Sequence, residues 1–160
     1  MTRKEQYNQL ILQIAGLIKD ETNLVGILAN VSAALHDTFP ERFFWVGFYL
    51  QENGNMLRLG PFQGSVACYV IPFGKGVCGK AWEEGRTLIV PDVEKFPGHI
   101  ACSSLSRSEI VVPMYDDSHT FRGVLDIDST RLNDFNEDDK EGLERIIKLL
   151  MEETQDIIFP

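Results

Sequence analysis

Apolar residues recur at helical spacing twice near the start of the chain. Leu10, Ile11, Ile14, Leu17 and Ile18 form the first set, and Leu24, Ile27, Leu28, Val31 and Leu35 the second, after a polar break at 20–23. Two amphipathic helices are predicted, the second stopped by Pro40. The period then changes. Residues 43–50 are aromatic and strand-like, 52–55 read Glu-Asn-Gly-Asn and supply hairpin chemistry, and a second strand is expected near 56–60. Residues 66–71 predict a third strand, ended by Pro72 and a Gly74-Lys75-Gly76 turn. A short helix over 77–84, stopped by Gly85, and a brief strand over 87–90 follow. Residues 91–108 are polar with little apolar periodicity, and unstructured loops of that length inside compact domains are usually functional.

Two further strands, 109–115 and 122–127, flank an Asp116-Asp117-Ser118-His119 turn. Asn136 is placed to cap a last helix whose first turn, Glu137-Asp138-Asp139, sets negative charge at the positive end of the helix dipole. Its apolar face is Leu143, Ile146, Ile147, Leu150 and Ile157. This order of elements predicts an α+β fold over residues 1–160 as one domain: an antiparallel sheet with the long N- and C-terminal helices on one face. Any pocket should lie on the other face, under the mid-chain loop.

Composition narrows the function. Fifteen Lys and Arg against 24 Asp and Glu give a net charge of −9, with no basic block, so nucleic acid and anionic lipid are poor partners. A hydrophobic content of 44 % is ample for a folded core. Arg3 and Lys4 ahead of the apolar run 10–18 superficially resemble a secretion leader. Gln13 interrupts that run, Glu5 sits in the would-be positive region, and Lys19-Asp20-Glu21 stands where small residues would mark cleavage. The segment is therefore expected to belong to the fold, and no run approaches the ~20 apolar residues that span a bilayer. A soluble cytoplasmic protein is expected, with its thiols kept reduced unless chemistry oxidises them.

Three cysteines, Cys68, Cys78 and Cys102, cannot all pair within one chain. With His99 they have the right chemistry for zinc, but intervals of ten and 24 residues do not fit a knuckle, and no metal is expected. Cys68 on a strand and Cys78 in a helical turn could simply be small buried hydrophobes, the commonest fate of a free cysteine and the favoured reading for Cys78. Cys102 lies among Ser103, Ser104, Ser106 and Ser108, where an exposed thiol in a polar loop is a candidate nucleophile. The segment from Gly74 to Lys80 invites a phosphate-cradle reading, yet matches neither a P-loop nor a dinucleotide fingerprint, so close backbone packing is expected there. Asp126 and Asp128, two apart on a strand, point to one face, and Glu109 interrupts the neighbouring apolar run. Such acids either raise one another's pKa in a site or sit solvated at strand ends. Trp45 and Tyr49 also share a strand face, as core or as pocket wall.

The segments Gly60-Pro61-Phe62-Gln63-Gly64, Ile71-Pro72-Phe73-Gly74-Lys75-Gly76-Val77-Cys78-Gly79, Val90-Pro91-Asp92-Val93, Phe96-Pro97-Gly98-His99-Ile100-Ala101-Cys102, Ser108-Glu109-Ile110-Val111-Val112-Pro113 and Gly123-Val124-Leu125-Asp126-Ile127-Asp128-Ser129 closely resemble the free methionine-R-sulfoxide reductases, which are stand-alone GAF-domain enzymes. The resemblance implies a GAF-like fold and an oxidoreductase that reduces free L-methionine (R)-sulfoxide. By it, Cys102 is the nucleophile, Cys68 its main resolving partner in a disulfide, and Cys78 an auxiliary thiol. Glu109, Asp126 and Asp128 become the cluster that grips the ammonium group and protonates the sulfoxide oxygen, with Trp45 and Tyr49 as the wall for the methylthio end. No cofactor is implied beyond an external reductant, thioredoxin. Two other readings use the same residues: a non-catalytic GAF sensor for a small ligand, and a redox-sensing regulator that needs the thiols but not the acids. The exposed helical faces are compatible with a homodimer.

Overall fold

The computed structural model describes residues 1–160. The two helical periods become α1 (Arg3–Ile18) and α2 (Leu24–Thr38), and Pro40 ends the second as expected. Then come β1 (Trp45–Glu52), β2 (Met56–Gln63), β3 (Val70–Pro72), α3 (Gly76–Glu84) and β4 (Leu88–Val90). The chain finishes with β5 (Ser108–Tyr115), β6 (Phe121–Ser129) and α4 (Glu137–Glu153). Asn53 and Gly54 both take positive φ, 44° and 83°, which is what a tight hairpin between twisted strands demands.

Three expectations are corrected. The predicted strand over 66–71 reduces to Val70–Pro72, because the preceding residues arch over the sheet to bring Cys68 to a covalent bond with Cys102. The long loop contains a single 3-10 turn, Val93–Lys95, whose N-cap Asp92 accepts a hydrogen bond from the Glu94 amide. The last helix stops at Glu153, so Ile157 packs against the core from beyond its end.

The six strands run in the order β3-β2-β1-β6-β5-β4, with neighbours antiparallel. Alternation along each strand sorts the side chains onto two faces. Val46, Phe48, Ile110, Val112, Met114, Leu125 and Ile127 pack against α1, α2 and α4 in one core. Trp45, Tyr49, Val111 and Val124 face the other way, into a smaller cluster with α3 and β4. The α+β architecture with long helices on one face is therefore as predicted.

One buried ion cluster pins the helical layer. Asp139, fully buried, accepts from the Tyr7 hydroxyl at 2.7 Å, from Arg3 at 2.8 Å, from Arg42 at 3.0 Å and from its own cap residue, the Asn136 amide, at 2.9 Å. The sequence suggested only a first-turn charge facing the helix dipole. The capping box forms, but the carboxylate also joins α1 to α4 through Arg3 and Tyr7. Arg42 in turn lies over the rings of Phe39, Phe43 and Phe135 at 5.2–5.7 Å. Removing one member of a buried pair leaves an uncompensated charge. Asp139→Ala is therefore expected to cost about 3–5 kcal/mol in urea denaturation. A loss of only a few tenths, ordinary for a solvated surface residue, would contradict this.

Candidate active site

Strand register assembles the site. Trp45 pairs with Asp128, Gly47 with Asp126 and Glu109 with Asp128, so the three acids and the aromatic pair occupy one face of three adjacent strands. Gly47 keeps that face open: a Cβ here would overlap Phe62 and come within 2.9 Å of the Trp45 ring. The helix α3 crosses the same face and brings Cys78 down onto the acids. Its glycines serve close packing, as expected, since a Cβ on Gly79 would stand 2.6 Å from the Pro72 carbonyl oxygen. Phosphate binding has no part in that explanation.

The pocket encloses about 530 Å³ including its mouth, and Trp45, Tyr49, Cys78, Cys102, Glu109, Asp126 and Asp128 all line it. Trp45 stacks on Tyr49 with centroids 5.8 Å apart and on Phe62 at 5.1 Å. Each ring also fixes the roof: the Trp45 indole N–H donates to the Ser65 carbonyl at 3.0 Å and the Tyr49 hydroxyl to the Cys68 carbonyl at 3.1 Å. The two alternatives for this pair merge, because both rings are buried and both form wall.

Glu109 is 5 % exposed and Asp126 6 %, while Asp128 is half-buried. Burial is the main cause that pushes the carboxyls of Glu109 and Asp128 well above their ordinary range, and the charge of Asp126 adds to it. Asp126 is raised less, because the Glu109 carboxyl and the Cys78 thiol donate to it and His99 lies near. Its Oδ1 meets no N–H or hydroxyl donor of the fold. These are thus not solvated strand-end acids but a cluster in which protons are shared around one preferred carboxylate. The same burial and negative charge push the Cys78 thiol up, leaving it protonated and weakly nucleophilic.

Cys68 and Cys102 form a disulfide across 34 residues of sequence, with Cα atoms 5.4 Å apart. Cys102 is therefore not the exposed free thiol that its serine-rich loop suggested: it is half-buried, bonded, and turned to the pocket. Cys68 lies on the roof loop rather than on a strand, and reaches the pocket through that bond. Cys78 is the free cysteine, buried in the floor.

In the sequence His99 reads only as a candidate zinc ligand, yet it lines the pocket with Nε2 3.9 Å from Glu109 Oε1. Burial lowers its pKa, partly offset by Asp126, which favours neutral imidazole. Its place three residues before Cys102 was the available signal. A thiol and two carboxylates, those of Cys78, Glu109 and Asp126, lie within 4.8 Å of one another and could hold a metal ion by position. Their raised pKa values mean that a cation would first have to displace protons from them.

No helix is long and apolar enough to cross a membrane. The family model for the GAF domain matches residues 21–151. The chain is 57 % identical over 149 residues to GAF domain-containing protein A of Dictyostelium discoideum, covering 93 % of this chain and 92 % of that one. It is 43 % identical over 155 residues to the free methionine-R-sulfoxide reductase of Saccharomyces cerevisiae, covering 94 % and 86 %. The crystal structure of the free methionine-R-sulfoxide reductase of Neisseria meningitidis with its substrate superposes with a TM-score of 0.93 at 47 % identity, covering 97 % of this chain and 92 % of that one. On this sequence and fold likeness, the chain belongs to the GAF-domain family and, within it, to the free methionine-R-sulfoxide reductases.

Proposed function

We propose that the chain reduces free L-methionine (R)-sulfoxide to methionine with Cys102 as nucleophile. The observation that carries this reading is the meeting, at one pocket, of the Cys68–Cys102 disulfide with carboxyls that burial and mutual charge shift toward the protonated form. Sulfoxide sulfur is electrophilic, but oxide leaves only when an acid protonates it. Glu109 and Asp128 supply that acid, Asp126 offers the negative charge that a free ammonium group seeks, and Trp45 and Tyr49 receive the methylthio end. Gly76, Val77 and Cys78, which begin α3 and line the pocket, put the positive end of a helix dipole on the side where a substrate carboxylate would be favoured.

The electron count closes in three steps. The Cys102 thiolate attacks the sulfoxide sulfur while a carboxyl proton goes to its oxygen; the hydroxyl then passes from that sulfur to Cys102 as the transient sulfur–sulfur bond breaks, so methionine leaves and Cys102 becomes a sulfenic acid. The Cys68 thiol then attacks that sulfur, water departs, and the observed type of disulfide forms. An external dithiol of the thioredoxin class returns both sulfurs to thiols, in a reducing compartment such as the cytoplasm. Cys78, protonated and buried, stays in reserve as an auxiliary thiol. A redox sensor would make use of the disulfide but would have no task for buried protonated carboxyls.

Cys102→Ser is expected to abolish methionine formation, whereas Cys68→Ser should still release one methionine per chain in a single turnover and then stall with thioredoxin. Equal loss in both variants under single-turnover conditions would remove the distinction between nucleophile and resolving thiol. Glu109→Gln is expected to lower kcat by about 10²–10⁴-fold, the range for a missing general acid. N-acetylation of the substrate deletes the ammonium group and leaves a buried carboxylate unpaired, so kcat/KM should fall on the order of 10⁴-fold. Comparable rates for the free and acetylated compounds would refute recognition by the acids.

The carboxyls also give stability a direction with pH. Glu109 and Asp128 keep protons in the fold that the unfolded chain releases above about pH 4, so their contribution is complete below that pH and is lost as pH rises through the raised values. Glu109→Gln should flatten the decline of the urea midpoint above about pH 4. An unchanged slope would mean that Glu109 is ionised in the fold.

A further inference from the structure

Reopening the Cys68–Cys102 disulfide is the step for which the pocket itself supplies no reductant. A disulfide is opened by a thiolate that reaches one of its sulfurs from outside, and both cysteines here are half-buried on the roof loops. Large apolar side chains stand in water beside them. Val66 is 86 % exposed and Tyr69 76 %, bracketing Cys68, and Leu105, three residues after Cys102, is 59 % exposed. The disulfide holds these two segments together, so each of the three exposed side chains lies within three residues of one end of the same bond. Exposed polar residues adjoin them, Ser65 on one loop and Ser104 and Arg107 on the other. Apolar side chains with a polar margin around a bond that requires an external nucleophile have the make-up of a protein contact rather than of a port for a small charged thiol.

We propose that Val66, Tyr69 and Leu105 form the docking face for a dithiol protein that reduces this disulfide; the proposal rests on the reading that the Cys68–Cys102 pair turns over. One thiolate of the partner attacks Cys68 Sγ and Cys102 departs as a thiolate, giving a mixed disulfide. The partner's second thiolate then attacks the partner's own sulfur in that bond and releases Cys68. The partner leaves oxidised by two electrons, and the two cysteines take up two protons. The apolar face orients the partner's attacking sulfur toward Cys68, on whose loop two of the three side chains lie.

The test reads disulfide reduction, not methionine formation, so it stands apart from the fate of the proposed activity. Val66 also reaches the pocket and is left intact. Oxidised wild type and the double variant Tyr69→Ser/Leu105→Ser are mixed with reduced thioredoxin, and separately with dithiothreitol, and free thiols are counted over time. The expected result is a fall of about tenfold in the second-order rate with thioredoxin, as for loss of interface anchors, and no change with dithiothreitol. An equal fall with both reductants would make the two residues structural and overturn the proposal. So would an unchanged thioredoxin rate, including the case in which the variant instead loses self-association on sedimentation, which would assign the face to a second copy of the chain.

Discussion

Three carboxyl groups lie together on one sheet face, two buried and one half-buried, and their ionisation is mutually opposed. The rest of the site is arranged around that constraint. Antiparallel register sets Glu109 opposite Asp128, and Asp126 on the adjoining rung opposite Gly47. Gly47 leaves the rung open, and α3 closes the floor with a thiol that donates to Asp126. The result favours the charge on Asp126 and shifts the neighbouring carboxyls and thiol toward their protonated forms. A site of this kind can neutralise a cation and deliver a proton in the same volume, without moving a charge through solvent.

The burden of holding such a cluster falls on the opposite face. Burying carboxyls is unfavourable unless the scaffold is stable enough to absorb the cost. The large apolar core beneath the sheet, together with the Asp139, Arg42, Arg3 and Tyr7 network, provides that scaffold. The alternation of side chains on β1, β5 and β6 therefore divides labour: even positions of β1 build the core, and odd positions face the pocket. A one-residue slip in the pairing of β1 with β6 would send Asp126 into the helical core.

Periodicity made most of the fold legible. The helices at both ends, the turn at Asn53 and Gly54, and the shared face of Asp126 and Asp128 all follow from local spacing. What escaped depended on contacts distant in sequence. Residues 66–69 have strand-like composition, but a covalent bond to Cys102 and the Tyr49 hydroxyl hold them over the pocket instead. Asp139 reads as one of three acids in a first turn, and only the return of α1 from the start of the chain shows it to be buried. His99 and the burial of Glu109 are likewise consequences of how the loop folds back. The pairing of Cys68 with Cys102 is legible only through the resemblance, since three cysteines alone allow three pairings.

The roof illustrates how these levels connect. Cys68 and Cys102 lie on segments that share no strand pairing with one another, so the disulfide is the covalent tie between the two halves of the pocket cover. Trp45 and Tyr49 hold the first half through its backbone carbonyls, which leaves the side chains of that loop free to face outward. The second half is anchored at its ends, by the Val93 amide on the Arg107 carbonyl and the Arg107 amide on the Ser129 carbonyl, and is otherwise short of backbone partners around Cys102. Breaking the tie thus removes a constraint from the less anchored half, the one that carries the proposed nucleophile. Aromatic residues that hold the loop of one sulfur and a sparsely bonded loop that carries the other suit the proposed cycle, in which the two thiols separate and meet again.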